Sequence, residues 1–478
     1  MYTEQGYAYY PLTLYDAMFK DASVVMGWLV EGALDIKILD NALHRLVSKW
    51  PMLAGRLELT ESSLIRVKVP LDLAPFSAEY APFTLTSRIS DVPITDYVQL
   101  PLPVVSDVLP SSLFMSPSAP KSPSAWLTNK LPLTLWHLTY LTKGDQKYTC
   151  IGVTFLHGLF DGMGIASVIH ALEAESLNKP WTVPLPLHIG SNENQLQVFL
   201  DQAERDMCKR EEAVPNDYRA VSVYGLWLII TFMLWNLWQD KWHKAHSRLI
   251  LLPAGVYEGL VRDARAAMAQ EGKTDVRLST GDVLTAWLYK TIYSGDEYMN
   301  SRINLSNMAS LRLLSDGVLD QYAHNCFIPI AYPMFTIAEL KATPIHSLAY
   351  KLSIARSTLS VGQAICVYNH LKDCAKPRKS LFDAKFVVPY RSDADENLCM
   401  SNMSVARIAD VNWRGLGGGR TLCRYKSLIT ESPILMSNIV TIAGRLDDGA
   451  IILDVVLNRK RMKCLEDEVH RLVDQTFL

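Results

Sequence analysis

The stretch Cys150-Ile-Gly-Val-Thr-Phe-Leu-His157-Gly-Leu-Phe-Asp161-Gly162-Met-Gly164 constrains this chain more than any other. β-Branched and aromatic residues over 148–156 read as a buried strand, and glycines at 158, 162 and 164 then stop it. Ile165, Val168, Ile169 and Leu172 follow at i, i+3, i+4 and i+7, so the spacing predicts an amphipathic helix directly after the break. His157 therefore sits on a strand-to-helix turn. A neutral imidazole held there by rigid elements suits the removal of a proton from a hydroxyl near neutral pH. Asp161 reads better as a fixed anion that holds the turn against an arginine than as a second catalyst. Gly162 is expected to let backbones approach closely. His-x-x-x-Asp is a common spacing by itself; its placement between a strand and a helix gives it meaning.

Composition limits what can be built around this turn. The chain has 478 residues, 49% of them hydrophobic and 20% charged, enough for two or three domains with large cores and too apolar for a disordered chain. A formal net charge of −2 leaves no global basic field, so nucleic acid is not expected as a partner. Eight cysteines show no Cys-x-x-Cys pair, which reads as free thiols in a reducing, intracellular compartment. The first residues have no basic n-region and no long apolar stretch, so no secretory signal is expected and the cytoplasm is.

Strand and helix patterns mix without a strict βαβ rhythm, which predicts an α+β fold in layers. A helix is expected with Leu39, Ala42, Leu43, Leu46 and Trp50 on one face, closed by Pro51. Residues 101–132 carry seven prolines among many serines and read as a long surface loop or lid. Two strands, 133–142 and 146–156, follow. The division expected is an N-terminal half over 1–190, a crossover linker over 191–247 and a C-terminal half over 248–478.

Residues 223–238 hold no charge and many aromatics. They are short for a membrane span, which leaves a buried or channel-lining helix and a helix at a membrane surface as the main readings. His243 and His246 just beyond stand at a metal-ligand spacing, but no third ligand is near and no metal is expected. Ser279 is placed to cap a helix bearing Leu284, Trp287, Leu288 and Ile292. Lys376, Arg378 and Lys379 form a basic cluster, either solvated or set against phosphates. The glycines of 415–419 lack the strand and the lysine of a nucleotide loop.

Residues 157–162, His-Gly-Leu-Phe-Asp-Gly, resemble the His-x-x-x-Asp-Gly motif of the BAHD superfamily of acyl-CoA-dependent acyltransferases, in particular its fungal secondary-metabolite branch, which includes trichothecene acetyltransferases. Further pieces follow in the family's order. Pro11-Leu-Thr-Leu-Tyr-Asp16 resembles its opening motif, Trp50-Pro-Met-Leu-Ala-Gly-Arg56-Leu its Phe-Pro-x-Leu-Ala-Gly-Arg-Leu, and Ser279-Thr-Gly-Asp282-Val-Leu-Thr-Ala286-Trp its Ser-x-x-Asp-x-Leu-x-Ala segment. Arg312 and the pair His324-Asn325 stand where the family has a central Arg and a Gly-Asn. The second signature, Asp-Phe-Gly-Trp-Gly, departs: residues 410–420 read Asp-Val-Asn-Trp-Arg-Gly-Leu-Gly-Gly-Gly-Arg, with Asn412 near the place of the aspartate.

The resemblance implies two halves like chloramphenicol acetyltransferase, joined by the crossover and meeting at a channel that contains His157. It implies that acyl-CoA, most simply acetyl-CoA, is a co-substrate and that no cofactor is held permanently. A hydroxyl of a hydrophobic secondary metabolite such as a terpenoid, meroterpenoid or polyketide would be the acceptor, and the enzyme a monomer. His157 would be the general base, with Asp161, Gly162 and Arg312 supporting the site through an Asp161–Arg312 pair. Ser401 and Asn402 would lie beside the thioester, and Ser279, Thr280, Lys376, Arg378 and Lys379 would contact coenzyme A. Two alternatives belong to other classes. In one the acyl group comes from a carrier protein, as in condensation domains, which carry a second His where this chain has Leu156. In the other the chain is a catalytically silent, membrane-associated binding protein.

Overall fold

The computed structural model describes residues 6–60, 64–71, 80–144, 146–184, 193–215, 218–273, 276–377, 380–431 and 434–477. Arg378 and Lys379 lie outside them. The strand expected before His157 is Tyr148–Leu156, and all nine of its residues are buried. An uninterrupted apolar run is what a strand covered on both faces requires. It lies third in a five-stranded sheet ordered Thr421–Thr430, Ala22–Glu31, Tyr148–Leu156, Leu135–Leu141, Thr84–Ile89. Helices Ile36–Lys49 and Gly162–Ser176 pack together on one face. Leu39, Leu43 and Leu46 meet Met26, Trp28, Ile151 and Val153 there, in one core.

The second large sheet has eight strands. Its main path runs Phe327–Pro329, Arg302–Ser310, Glu396–Asn402, Ile439–Arg445, Ile451–Leu457, His246–Leu252, Val105–Asp107. Helices Ala254–Gln270, Thr280–Ile292, Ile345–Ser357 and Arg459–Phe477 pack with one another beside it. Their apolar residues and those of the strands form a separate core. The sheets do not divide at the linker. Val105–Asp107 joins the sheet built mainly from later residues, and Thr421–Thr430 joins the earlier one beside Ala22–Glu31.

Two expectations fail here. Residues 101–132 are no surface lid: Leu109, Leu113, Phe114 and Trp126 are buried. The reason is a notch. Gly27 and Gly152 stand opposite each other on adjacent strands, and a Cβ on Gly152 would lie 1.9 Å from the Phe114 carbonyl oxygen, so the proline-rich segment is packed against the sheet. The buried or channel reading of 223–238 also fails. Its first residues form the edge strand Ser222–Gly225, paired with Lys385–Val388, and the rest the helix Leu226–Lys241. Trp227 is 71% exposed and Leu234 58%. The only buried residues of this helix are the polar ones, Asn236 and Gln239. Among the described residues no helix is long and apolar enough to cross a membrane.

Candidate active site

The end of the strand Tyr148–Leu156 fixes the backbone at His157. Its N–H donates to the Ala22 carbonyl at 2.8 Å, and its own carbonyl accepts from Asn325 Nδ2 at 2.8 Å. Asn325 is held in turn by Asp16 Oδ1, which accepts both its backbone and side-chain N–H at 2.9 Å. Thr13 donates twice to the other Asp16 oxygen. Burial pushes the Asp16 carboxyl up to about 7, opposed by these donors. The ring of Phe19 stacks on the imidazole, centroids 4.5 Å apart.

His157 is partly exposed as a residue, while its ring Nδ1 is buried. Burial lowers its pKa below the ordinary histidine value, and Lys426 lowers it further; the backbone at His157 and Phe160 and the Asp161 carboxylate oppose the shift. Nδ1 is buried without a well-formed hydrogen bond among the described residues. The ring is therefore neutral near pH 7, as proton abstraction requires.

Asp161 does not orient this ring. It caps the helix Gly162–Ser176, its Oδ1 accepting from Gly164 N–H at 2.8 Å. Arg312 Nη1 and Nη2 donate to its two oxygens at 2.9 and 3.2 Å, and the Cys326 N–H adds a bond to Oδ2 at 3.0 Å. Arg312 also donates to the Tyr322 and His324 carbonyls. Both partners are buried and every bond closes the turn around His157. Gly162 faces a side chain, since a Cβ there would meet Met403 Sδ at 2.5 Å. The close backbone approach expected of it occurs at Gly164, where a Cβ would lie 1.8 Å from the Ala323 carbonyl oxygen.

The other candidates fall into two groups. Asn402 ends the strand Glu396–Asn402, its Oδ1 accepting from Ser404 N–H at 3.0 Å. Its Nδ2 lies 2.5 Å from where a Gly281 Cβ would be, so it abuts the start of the helix Thr280–Ile292. Ser279 caps that helix in a box with Asp282, which Arg356 also grips with two bonds. Asn402, Ser279 and Thr280 thus share one neighbourhood. Ser401 stands opposite Thr441. Lys376 is exposed and bonded to Asp373 at 2.6 Å, a local surface pair. A surface cleft of about 760 Å³ near Lys241 and Arg248 includes none of these residues.

The degenerate second signature has changed its chemistry. Asn412 caps a short turn by accepting from Arg414 N–H, and Trp413 packs edge-on against Trp28. Asp410 forms no ion pair among the described residues: burial pushes its carboxyl up to about 6, and the neighbouring Asp447 adds to the shift. Sequence reading missed the roles of Asp16 and Asn325, although both lie in quoted motifs. It also missed Lys426, one of two charges two residues apart in an apolar strand.

No family model matches the chain. Curated relatives do. Acetyltransferase adrJ of Penicillium rubens is 26% identical over 282 residues, 55% of this chain and 52% of that protein. O-acyltransferase pboC of Aspergillus ustus is 24% identical over 246 residues, 51% and 48% of the two chains. O-acetyltransferase PaAT-2 of Phomopsis amygdali is 21% identical over 360 residues, 70% of each. The chain thus spans about half the length of the first two. Among solved structures, F. graminearum TRI101 complexed with ethyl coenzyme A matches with a TM-score of 0.62 at 15% identity, over 96% of this chain and 97% of that one. TRI3 trichothecene 15-O-acetyltransferase from Fusarium sporotrichioides matches with a TM-score of 0.57 at 9% identity, over 99% and 96%. The chain has the fold of these trichothecene acetyltransferase structures.

Proposed function

We propose that this chain transfers an acyl group, most simply acetyl, from acyl-CoA to a hydroxyl of a hydrophobic secondary metabolite. The observation that carries the reading is His157: a desolvated imidazole, neutral near pH 7, on a turn that Asp161 and Arg312 lock without touching the ring. The relatives named acetyltransferase and the TRI101 structure with a coenzyme A derivative support the reaction class.

In this mechanism His157 takes the proton of the acceptor hydroxyl as the oxygen attacks the thioester carbonyl. The imidazolium then protonates the departing thiolate, so no acyl-enzyme forms. Holding both substrates in one passage supplies much of the acceleration, and donors beside the carbonyl oxygen stabilise the charge that develops there. Asn402, which abuts the start of the helix Thr280–Ile292, is the donor favoured for that role, with Ser401 beside it. Against a carrier-protein donor stands Leu156, wholly buried where a second His would be needed.

The outer helix supports a location. With Trp227, Leu234, Trp238 and Trp242 exposed and Asn236 and Gln239 turned inward, the helix Leu226–Lys241 fits a lipid surface; the enzyme is read as a monomer. The direct test of the reaction is His157→Ala, assayed with acetyl-CoA and a panel of hydrophobic alcohols beside circular dichroism. A folded, inactive variant is expected; a folded, active one contradicts the mechanism.

A further inference from the structure

Two strands that meet across the molecule carry charges in otherwise apolar sequence. On Thr421–Thr430, Arg424 and Lys426 stand opposite Trp28 and Met26 and share one face. Val153 stands opposite Met26 on the next strand. His157 has the parity of Val153, so the base and both cations leave the same face of this sheet. On the other sheet Asp454, Thr441 and Ser401 stand opposite one another across three strands. Lys426 Nζ reaches Thr441 Oγ1 at 3.5 Å and joins the two rows.

Arg424 is 1% exposed. Its Nε and Nη2, and Asp454 Oδ2, are buried with no hydrogen-bond partner among the described residues. Its Nη1 makes one long bond, 3.4 Å, to the Ala443 carbonyl. The charges nevertheless sense one another. Burial lowers the Arg424 and Lys426 pKa values, and Asp454 opposes both shifts. Burial pushes Asp454 up to about 6, opposed by the two cations. Lys426, like His157, is partly exposed as a residue and is close enough to lower the imidazole pKa.

Buried guanidinium groups are ordinarily satisfied, as Arg312 is by a carboxylate and two carbonyls. Idle donors at this depth are destabilising unless a bound molecule uses them. Two cations against one carboxyl favour an anion, and the planar fork of Arg matches a carboxylate. We infer that Arg424 and Lys426 form a subsite for a carboxylate borne by the acceptor, so that the preferred acceptor is a hydroxy acid whose hydroxyl faces His157. This rests on the acyl-transfer reading.

The test uses hydroxycyclohexanecarboxylic and hydroxydecalincarboxylic acids, each against its methyl ester. Calorimetric binding to the His157→Ala protein needs no turnover, so it separates this inference from the reaction itself. At least one acid is expected to bind about tenfold or more tighter than its ester. Arg424→Met and Lys426→Met should each shrink that ratio toward unity while the KM for acetyl-CoA stays unchanged in the otherwise native enzyme. If Arg424→Met fails to fold, the wild-type ratio and Lys426→Met still decide. Esters binding as well as acids would overturn the subsite. So would a preference that survives Lys426→Met, or variants that slow transfer to all acceptors alike, which would place the cations at the thioester instead.

Discussion

Between the two sheets, Arg424 and Asp454 are buried with polar atoms that find no hydrogen-bond partner among the described residues. On the outside, the helix Leu226–Lys241 buries Asn236 and Gln239 and shows Trp227, Leu234 and Trp238 to solvent. Both regions reverse the usual placement of polar and apolar groups, and they do so in opposite senses. The inner reversal is destabilising until a polar molecule arrives. The outer one leaves apolar surface exposed until a lipid or protein surface covers it. Yet the outer helix is satisfied on its inner side: Asn236 accepts from the Ser437 N–H and Gln239 from Asn458 Nδ2, both at 2.9 Å. Its orientation is therefore built in, since turning it over would bury apolar residues and strand these bonds. Inner substitutions should alter turnover and specificity, and outer ones location.

The largest effect expected separates a satisfied buried charge from an unsatisfied one. Arg312→Ala leaves the buried Asp161 charge without its cation, and should destabilise the fold by about 3 to 5 kcal/mol, lowering both the melting temperature and activity. Asp161→Asn should move both in the same direction. Arg424→Met removes a guanidinium with idle donors, so denaturant unfolding should show it neutral or stabilising. A loss as large as that of Arg312→Ala would erase the contrast between the two arginines.

Next in size is the outer helix. Replacing Trp227, Leu234 and Trp238 together with Gln should abolish co-flotation with phospholipid vesicles, while melting temperature and turnover of water-soluble acceptors hold. Unchanged flotation, or a fall in stability like that of a core substitution, would return this helix to a structural role.

The smallest effect concerns pH. Because burial holds His157 below the ordinary histidine pKa, its neutral form persists to lower pH, and protonation removes the base as pH falls. The acid limb of kcat/KM should lie below about 6.5, the unperturbed value. A limb well above that would mean that the group titrating is not a desolvated imidazole.

Local features were legible in the sequence and nonlocal coverage was not. The strand before His157 and the helix after it follow from alternation and glycine punctuation within a few turns of chain. The partnership of Asp161 with Arg312 came from family likeness, because nothing in the spacing of two residues so far apart implies contact. Residues 101–132 were misread because prolines argue against regular structure and not against burial. Phe114 fills a notch made by two glycines from distant strands. Arg424 and Lys426, two apart on an edge strand, have the pattern of a solvent face. Only a second sheet laid over them turns that pattern into a polar interior.

The central claim is that His157 deprotonates an acceptor that attacks acyl-CoA directly. A rapid-quench single turnover with acetyl-labelled acetyl-CoA and an accepted alcohol follows the label itself. Label should pass from coenzyme A to the alcohol with none retained on protein at any time, and His157→Ala, folded by circular dichroism, should transfer none. Label that accumulates on the protein, or transfer that persists without the imidazole, would contradict the account.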